Sequence, residues 1–316
     1  MKRDYHALPE FELLRPIVMP MTRLGIWFAN RGLDLTWFLV PTDHNVRISR
    51  FFIRLRDRGR LKMTVFTPKN LKDPLPALVY FPGGGFMMSA AFAHKRNAAK
   101  MAAQVGCKVI LAHYRLAPRH PFPSGLLDCE EAFDYVLAHA AELGVDPNRI
   151  AMGGDSAGGT LTAGVTLLQR DENEPRPCFA MLLYPALENG NADFESRKKY
   201  VDTPMFNTAR FHFIEKHYYR NGFQHMEKYA FPLRIKDYSG LPPYYIETAE
   251  FDCLHDDGVI AARRMREHGV PVELVETLGT YHGYDAVELS PVTKECVRRR
   301  VGALRKAFGL PPLTDR

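Results

Sequence analysis

Ser156 stands in Gly154-Asp155-Ser156-Ala157-Gly158, a G-x-S-x-G pentapeptide. A serine hydroxyl is a poor nucleophile until a base takes its proton and a third group orients that base. This spacing is that of a nucleophile elbow, in which the serine sits on a strained strand-to-helix turn and glycines on both flanks let the backbone fold so tightly. The surroundings agree, because RIAMG (149–153) reads as a strand leading in and a helical stretch leads out from about residue 157. Turns use glycine and serine freely, so the assignment rests on that setting rather than on the pentapeptide alone.

In chains with such an elbow the acid and then the histidine follow the serine. Downstream, ETAEFDCLHDDG (247–258) ends one apolar run with acids at 247, 250, 252, 256 and 257, and GTYHGYD (279–285) follows the next run with His282. Both loops fall at the carboxyl ends of strands, the edge where open α/β sheets gather their ligands. Gly279 and Gly283 flank His282, as suits an exposed loop that reaches the serine. His120, His217, His225, His255 and His268 lack that setting and read as surface histidines. Asp252, just past YYIETA (244–249), is the best-placed acid. Asp256 and Asp257 suit the first turn of the next helix, where negative charge complements the dipole.

A nucleophile of this kind needs donors for the charge it creates. FPGGGF (81–86) follows the apolar run ALVYF (77–81), the place from which elbow-bearing folds supply oxyanion-hole N–H groups. Glycines are costly to order, but adjacent peptide N–H groups converge on one atom only where side chains are out of the way. The expected donors are the N–H groups of Gly84, Gly85 and Ala157; losing one donor of this type raises a barrier by about 3–4 kcal/mol. Phe86, Met87, Tyr184, Phe206 and Tyr284 are candidates for an apolar acyl or alcohol pocket, although each also suits plain core packing.

Elements that would position these groups are visible around them. Val46–Leu55 and Leu61–Phe66 read as a hairpin closed by Asp57-Arg58-Gly59. The runs 77–81, 107–112, 149–153, 178–184, 244–249 and 272–276 are apolar with few charges, as strands buried on both faces of a parallel sheet require. Between them SGLLDCEEAFDYVLAHAAELG shows helix spacing ending at Gly144, and the last helix has Ser290 as N-cap, Pro291 at its first position and Gly309 past its end. A hairpin followed by strand–helix units reads as an α/β fold with a mostly parallel, eight-stranded sheet and helices on both faces. Residues 1–45 and 186–229 break the alternation and are rich in aromatics, which suggests a helical cap over a domain made of 46–185 and 230–316.

Composition narrows the function further. The 316 residues are 46% hydrophobic and 25% charged, ordinary for a soluble globular chain. Five scattered cysteines without a CxxC pair argue against a disulfide framework or zinc site and fit a reducing cytoplasm. MKRDYHALPEFELLRP has no apolar region after its basic residues, so no signal peptide is expected, and no 18-residue apolar stretch exists for a spanning helix. The net charge of +6 raises the question of nucleic acid. The basic residues, however, alternate with apolar ones in VRISRFFIRLRDRGRLKMTVF, or share a helix with Val292, Cys296, Val301, Leu304 and Phe308, as solvated faces do. Neither nucleic-acid binding nor stable membrane insertion is expected.

Together, YFPGGGF, YRLAPRHPFPSGLLDC (114–129), DPNRIAMGGDSAGG (146–159), SGLPPYYIETAEFDCLHDDG (239–258) and PVELVETLGTYHGY (271–284) resemble the hormone-sensitive-lipase-like carboxylesterases of the α/β-hydrolase fold, over roughly residues 70–285. The resemblance implies a triad of Ser156, Asp252 and His282, an oxyanion hole of Gly84, Gly85 and Ala157, and a cap of 1–45 with 186–229. It also implies hydrolysis of short- to medium-chain esters without metal or organic cofactor, and a possible homodimer. An amidase or arylformamidase would use the same triad, and a non-catalytic receptor of the same fold is a further alternative. Receptors descended from this family usually lack a triad residue, whereas all three are present here. Four positions depart from the family pattern: Pro82 replaces the histidine before the glycines, Arg119 a glutamate, His113 an aspartate and Cys253 a proline. Pro82 is expected to hold the loop by fixing φ. Trp27, Phe28, Trp37 and Phe38 raise contact with a lipid surface as a weaker possibility.

Overall fold

The apolar runs become eight strands of one sheet in the computed structural model, which describes residues 5–17 and 19–313. Residues 1–4, 18 and 314–316, parts of the expected 1–45 and 230–316 segments, lie outside the described residues. The strands are β1 (Val46–Arg54), β2 (Arg60–Pro68), β3 (Leu75–Phe81), β4 (Lys108–His113), β5 (Val145–Asp155), β6 (Ala180–Leu183), β7 (Tyr244–Phe251) and β8 (Val272–Tyr281). They lie in the order β1-β2-β4-β3-β5-β6-β7-β8. The β1–β2 and β2–β4 pairs are antiparallel and all others parallel, so the expected hairpin and parallel sheet are both present.

Every residue of β3 is buried, as is β5 from Ile150 to Asp155. Strands covered on both faces have no reason to alternate polar and apolar residues. The main helices are α1 (Arg23–Leu39), α2 (Phe92–Met101), α3 (Ser124–Ala138), α4 (Ala157–Asp171), α5 (Thr208–Tyr218), α6 (His255–Glu267) and α7 (Pro291–Ala307). Ser290 caps α7 by accepting the Val292 N–H at 3.2 Å, and Gly309 follows at φ 64°. The helix expected over 124–143 is interrupted at His139, whose side chain and N–H both bond the Tyr135 carbonyl; a short turn, 140–143, then ends at Gly144 with φ 62°.

One departure from the expected strands matters for the site. The run 272–276 continues as β8 to Tyr281, because Thr277 and Thr280 satisfy their hydroxyls on backbone carbonyls inside the sheet. Between the pairs Ala249–Thr277 and Phe251–Tyr281 the ladder shifts register, with Gly279 at φ 72° in the extra turn of chain. The irregularity brings Phe251 opposite Tyr281, so the next residues, Asp252 and His282, leave the sheet side by side.

Candidate active site

Ser156 occupies the turn between β5 and α4 at φ 53° and ψ −120°, a conformation a non-glycine residue holds only at a cost of about 1–3 kcal/mol. Its N–H donates to the Leu183 carbonyl at 2.8 Å, which fixes the turn against β6. The flanking glycines have a steric cause. A Cβ on Gly154 would lie 2.4 Å from the Gly158 carbonyl carbon, and one on Gly158 only 1.8 Å from the Phe81 oxygen. The motif spacing is thus the contact distance between the elbow, its helix and β3.

His282 Nε2 lies 2.9 Å from Ser156 Oγ, and its Nδ1 lies 2.6 Å from Asp252 Oδ2. Asp252 is fully buried and its other oxygen accepts the Leu254 N–H at 2.9 Å. With Nδ1 donating to the carboxylate, Nε2 is left to accept the serine proton, the arrangement that general-base activation of a hydroxyl requires. His282 is only 6% exposed, so the loop expected to be exposed is instead packed between aromatic rings. Tyr184 meets the imidazole edge-on at 4.9 Å and Phe206 lies tilted at 5.0 Å.

The glycine loop is anchored from below by Asp155, the variable residue of the elbow motif. Asp155 Oδ1 accepts the Gly83 N–H at 3.1 Å and the Tyr80 hydroxyl at 2.7 Å, and His94 Nε2 lies 3.1 Å from Oδ2. His94 Nδ1 accepts the Ala91 N–H, which leaves Nε2–H to face the carboxylate. Burial by itself would raise the Asp155 carboxyl. The electrostatic interaction and hydrogen bond with the His94 Nε2–H, together with the hydrogen bonds from Tyr80 and Gly83, outweigh burial and hold it below its ordinary value. The Tyr114 hydroxyl donates to the Pro82 carbonyl at 2.8 Å from the other side.

Past this anchor the chain turns through Gly84 (φ 120°) and Gly85 (φ 58°), and the Met87 and Met88 N–H groups close the turn on the Gly84 carbonyl. Among the described residues, the N–H groups of Gly84 and Gly85 have no acceptor. The Ala157 N–H opens α4, where the first N–H groups of a helix have no partner within it. A Cβ on Gly85 would strike Ile214 Cδ1 at 2.4 Å, and the Met19 methyl is 3.2 Å away, so side chains from both irregular segments reach this loop. Met205 similarly approaches Gly283 beside His282.

The remaining pocket candidates are placed less directly. Phe86 is buried, stacked on Tyr218 at 3.9 Å; Met87 is buried beneath α1, its carbonyl bound by Asn30; Tyr284 sits behind Tyr184. Asp256 and Asp257 open α6 as expected. Sequence reasoning missed a buried polar layer behind the histidine. Tyr184 donates to Asp285 at 2.7 Å; Arg300 bridges Asp285 and Glu247; Tyr284 and Tyr245 also donate to Glu247. It also missed Arg197, which binds the carbonyl of Cys253 and pairs with Asp257 at 2.8 Å. Asp155 was visible inside the motif, but no local signal marks His94, Arg197 or Arg300. Among the described residues no group of three or more His, Cys, Asp or Glu side chains is arranged to hold a metal ion.

A sheet of this order with an elbow serine, a strand-end histidine and a strand-end aspartate defines the α/β-hydrolase class. The Abhydrolase_3 family model, described by the alpha/beta hydrolase fold, matches residues 78–286, and the chain belongs to this hormone-sensitive-lipase-like family. Among curated relatives, the carboxylesterase NlhH of Mycobacterium tuberculosis is 35% identical over 253 residues, covering 78% of this chain and 79% of that protein. The esterase LipI of the same organism is 31% identical, covering 78% of each. Among solved structures, a bacterial heroin esterase superposes with a TM-score of 0.86 at 32% identity, over 96% of this chain and 98% of that one. A thermostable esterase from Pseudomonas putida gives 0.88 at 25% identity, over 98% and 100%.

Proposed function

We propose that this protein is a serine carboxylesterase in which Ser156 is the nucleophile, His282 the general base and Asp252 the residue that orients the imidazole. The observation that carries the residue assignment is the unbroken hydrogen-bonded line from Ser156 Oγ through both ring nitrogens of His282 to the buried Asp252. Ser156 Oγ attacks the ester carbonyl as its proton passes to Nε2, and Asp252 stabilises the imidazolium. The carbonyl oxygen, now negative, faces the N–H groups of Gly84, Gly85 and Ala157. The imidazolium next protonates the departing alkoxide, leaving an acyl-enzyme. A water, deprotonated by the same nitrogen, attacks that acyl group and frees the acid and the serine.

Residues 46–185 and 230–316 act as the catalytic domain, with 1–45 and 186–229 as a cap whose Met19, Met205, Phe206 and Ile214 bound the acyl or alcohol group. Such an apolar and confined lining suits short- to medium-chain esters. The test is an organophosphonate label located by peptide mass spectrometry, together with p-nitrophenyl esters from acetate to laurate. The expected result is an adduct on Ser156, hydrolysis that declines toward laurate, and loss of about three orders of magnitude or more in kcat for Ser156→Ala. An intact Ser156 after labelling, or full activity in the alanine variant, overturns the assignment.

A further inference from the structure

The two faces of α1 are both apolar, but only one is covered. Ile26 and Trp37 point inward and are buried, Asn30 clamps the carbonyl of Met87 and the N–H of Ser89, and Lys95 Nζ holds the carbonyls of Trp37 and Val40 at 2.7 Å. This corrects the sequence expectation for Trp37, which lies 3% exposed in the core. On the opposite side Leu24, Trp27, Phe28, Leu35 and Phe38 fall at i, i+3, i+4, i+11 and i+14, a single stripe of a 3.6-residue helix. Each of these side chains is more than half exposed. A helix held firmly by one face and apolar on the other marks an interaction surface rather than scattered surface residues.

The charges in this stripe indicate the partner. Arg31 takes the i+7 position in its middle, with its guanidinium 5.8 Å from the Trp27 ring, and Arg50 of β1 lies 5.1 Å from the Phe38 ring. Arg23 is exposed at the start of the helix, and Asp34 is its only acid. Exposed Trp, Phe and Leu side chains interleaved with arginines match a boundary between acyl chains and anionic headgroups, where rings settle at the interface and arginine stems lie flat with their charges outward. A second copy fits less well, because a two-fold contact along the stripe would bring the central Arg31 against its own mate.

We propose that the outward face of α1 docks the protein onto an anionic phospholipid surface, with Trp27, Phe28, Leu35 and Phe38 at the acyl boundary and Arg31 and Arg50 on the headgroups. This is lateral docking: among the described residues no helix is long and apolar enough to cross a membrane. The docking stands independently of the esterase assignment. Resting on that assignment is its consequence, that α1, tied by Asn30 to the chain following the glycine loop, sets the active site close to a surface in which apolar esters concentrate.

The test uses the full chain with phosphatidylcholine vesicles, with and without phosphatidylserine. The expected result is co-sedimentation with the anionic vesicles and a blue shift of tryptophan emission, which reports Trp27 because Trp37 is buried. The double variant Trp27→Ser/Phe28→Ser is expected to bind at least ten-fold more weakly. Arg31→Gln/Arg50→Gln is expected to remove the preference for anionic vesicles. Both variants should keep the wild-type melting temperature and hydrolysis of dissolved p-nitrophenyl acetate, which separates docking from folding and from catalysis. Absence of vesicle binding by the wild type, or equal binding by the variants, overturns the proposal. So does a wild-type dimer in sedimentation that Trp27→Ser/Phe28→Ser splits into monomers, which would assign the face to a second copy.

Discussion

Gly83 has a different task from the two glycines that follow it. Its N–H is committed to Asp155, and a Cβ there would fall 2.2 Å from Asp155 Oδ2 and 2.8 Å from the Asp155 carbonyl oxygen. Gly83→Ala must therefore lift the loop from its anchor and misaim the N–H groups of Gly84 and Gly85. The expected outcome is a fall in kcat of about 10²–10³ with KM little changed, as when one oxyanion donor is lost; a wild-type kcat in steady-state assays would refute it. Pro82, a departure from the family pattern, is buried, and its carbonyl is hydrogen-bonded to Tyr114. It lines a cavity of about 270 Å³ together with His113, a second departure from the family pattern. If the proline serves the loop by stiffness, Pro82→Ala lowers unfolding free energy by about 0.4–1 kcal/mol and leaves kcat intact. A large kcat loss at unchanged stability would give the ring a role at the site itself.

At the scale of elements, the short helix Glu195–Lys199 is stapled to the chain segment that carries Asp252. Arg197, 3% exposed, reaches the carbonyls of Cys253 and Glu188 and the carboxylate of Asp257, which in turn accepts the Leu187 and Glu188 N–H groups at 2.7 and 2.9 Å. Breaking a buried pair from one side costs about 3–5 kcal/mol, because the other charge stays behind. Arg197→Met is expected to lower the denaturation midpoint accordingly and to reduce kcat by loosening the Asp252 segment. Burial pushes the Asp257 carboxyl up to about 6 even with Arg197 opposing it. Without the arginine its folded pKa rises further above the unfolded value. A raised carboxyl pKa contributes stability at low pH that is lost as pH rises through the folded value. The deficit of Arg197→Met is therefore expected to grow between pH 6 and pH 8 in urea titrations; a pH-independent deficit would show that Asp257 is not involved.

For the whole molecule, the buried cluster of Glu247, Arg300 and Asp285 joins β7, the histidine loop and α7 behind the site. Burial opposes ionisation of Glu247, but the charge and hydrogen bonds of Arg300, with Tyr284 and Tyr245, outweigh it and hold the carboxyl low. Asp155 is depressed likewise. A depressed carboxyl contributes stability that is present above its ordinary value, about 4, and disappears as pH falls through the folded value. Glu247→Gln is expected to cost about 3–5 kcal/mol at pH 7 and to flatten the acid side of the stability curve. Parallel curves for variant and wild type in urea melts from pH 7 to pH 3 would remove Glu247 from that account. Much of this architecture was legible beforehand, since strands such as β3 and β5 are apolar on both faces and are bounded by turns. What escaped was β8 beyond residue 276, whose threonines look like loop residues until their hydroxyls find carbonyls, and the helix break at His139, which no glycine or proline announces.

The amino-acid sequence by itself determined the elbow and the bare glycine loop, because each depends on backbone sterics set by a few adjacent residues. It also determined that the sheet would be mostly parallel, since burial on both faces leaves its mark residue by residue. Tertiary structure alone decided that Asp252 and His282 leave neighbouring strands side by side, through a register shift between β7 and β8 that no local pattern records. It decided as well that His94 serves Asp155, that Arg300 serves Glu247 from 53 positions away, and which face of α1 meets solvent. Such pairings depend on how distant elements pack, and a buried charge finds its partner only once the surrounding core has closed.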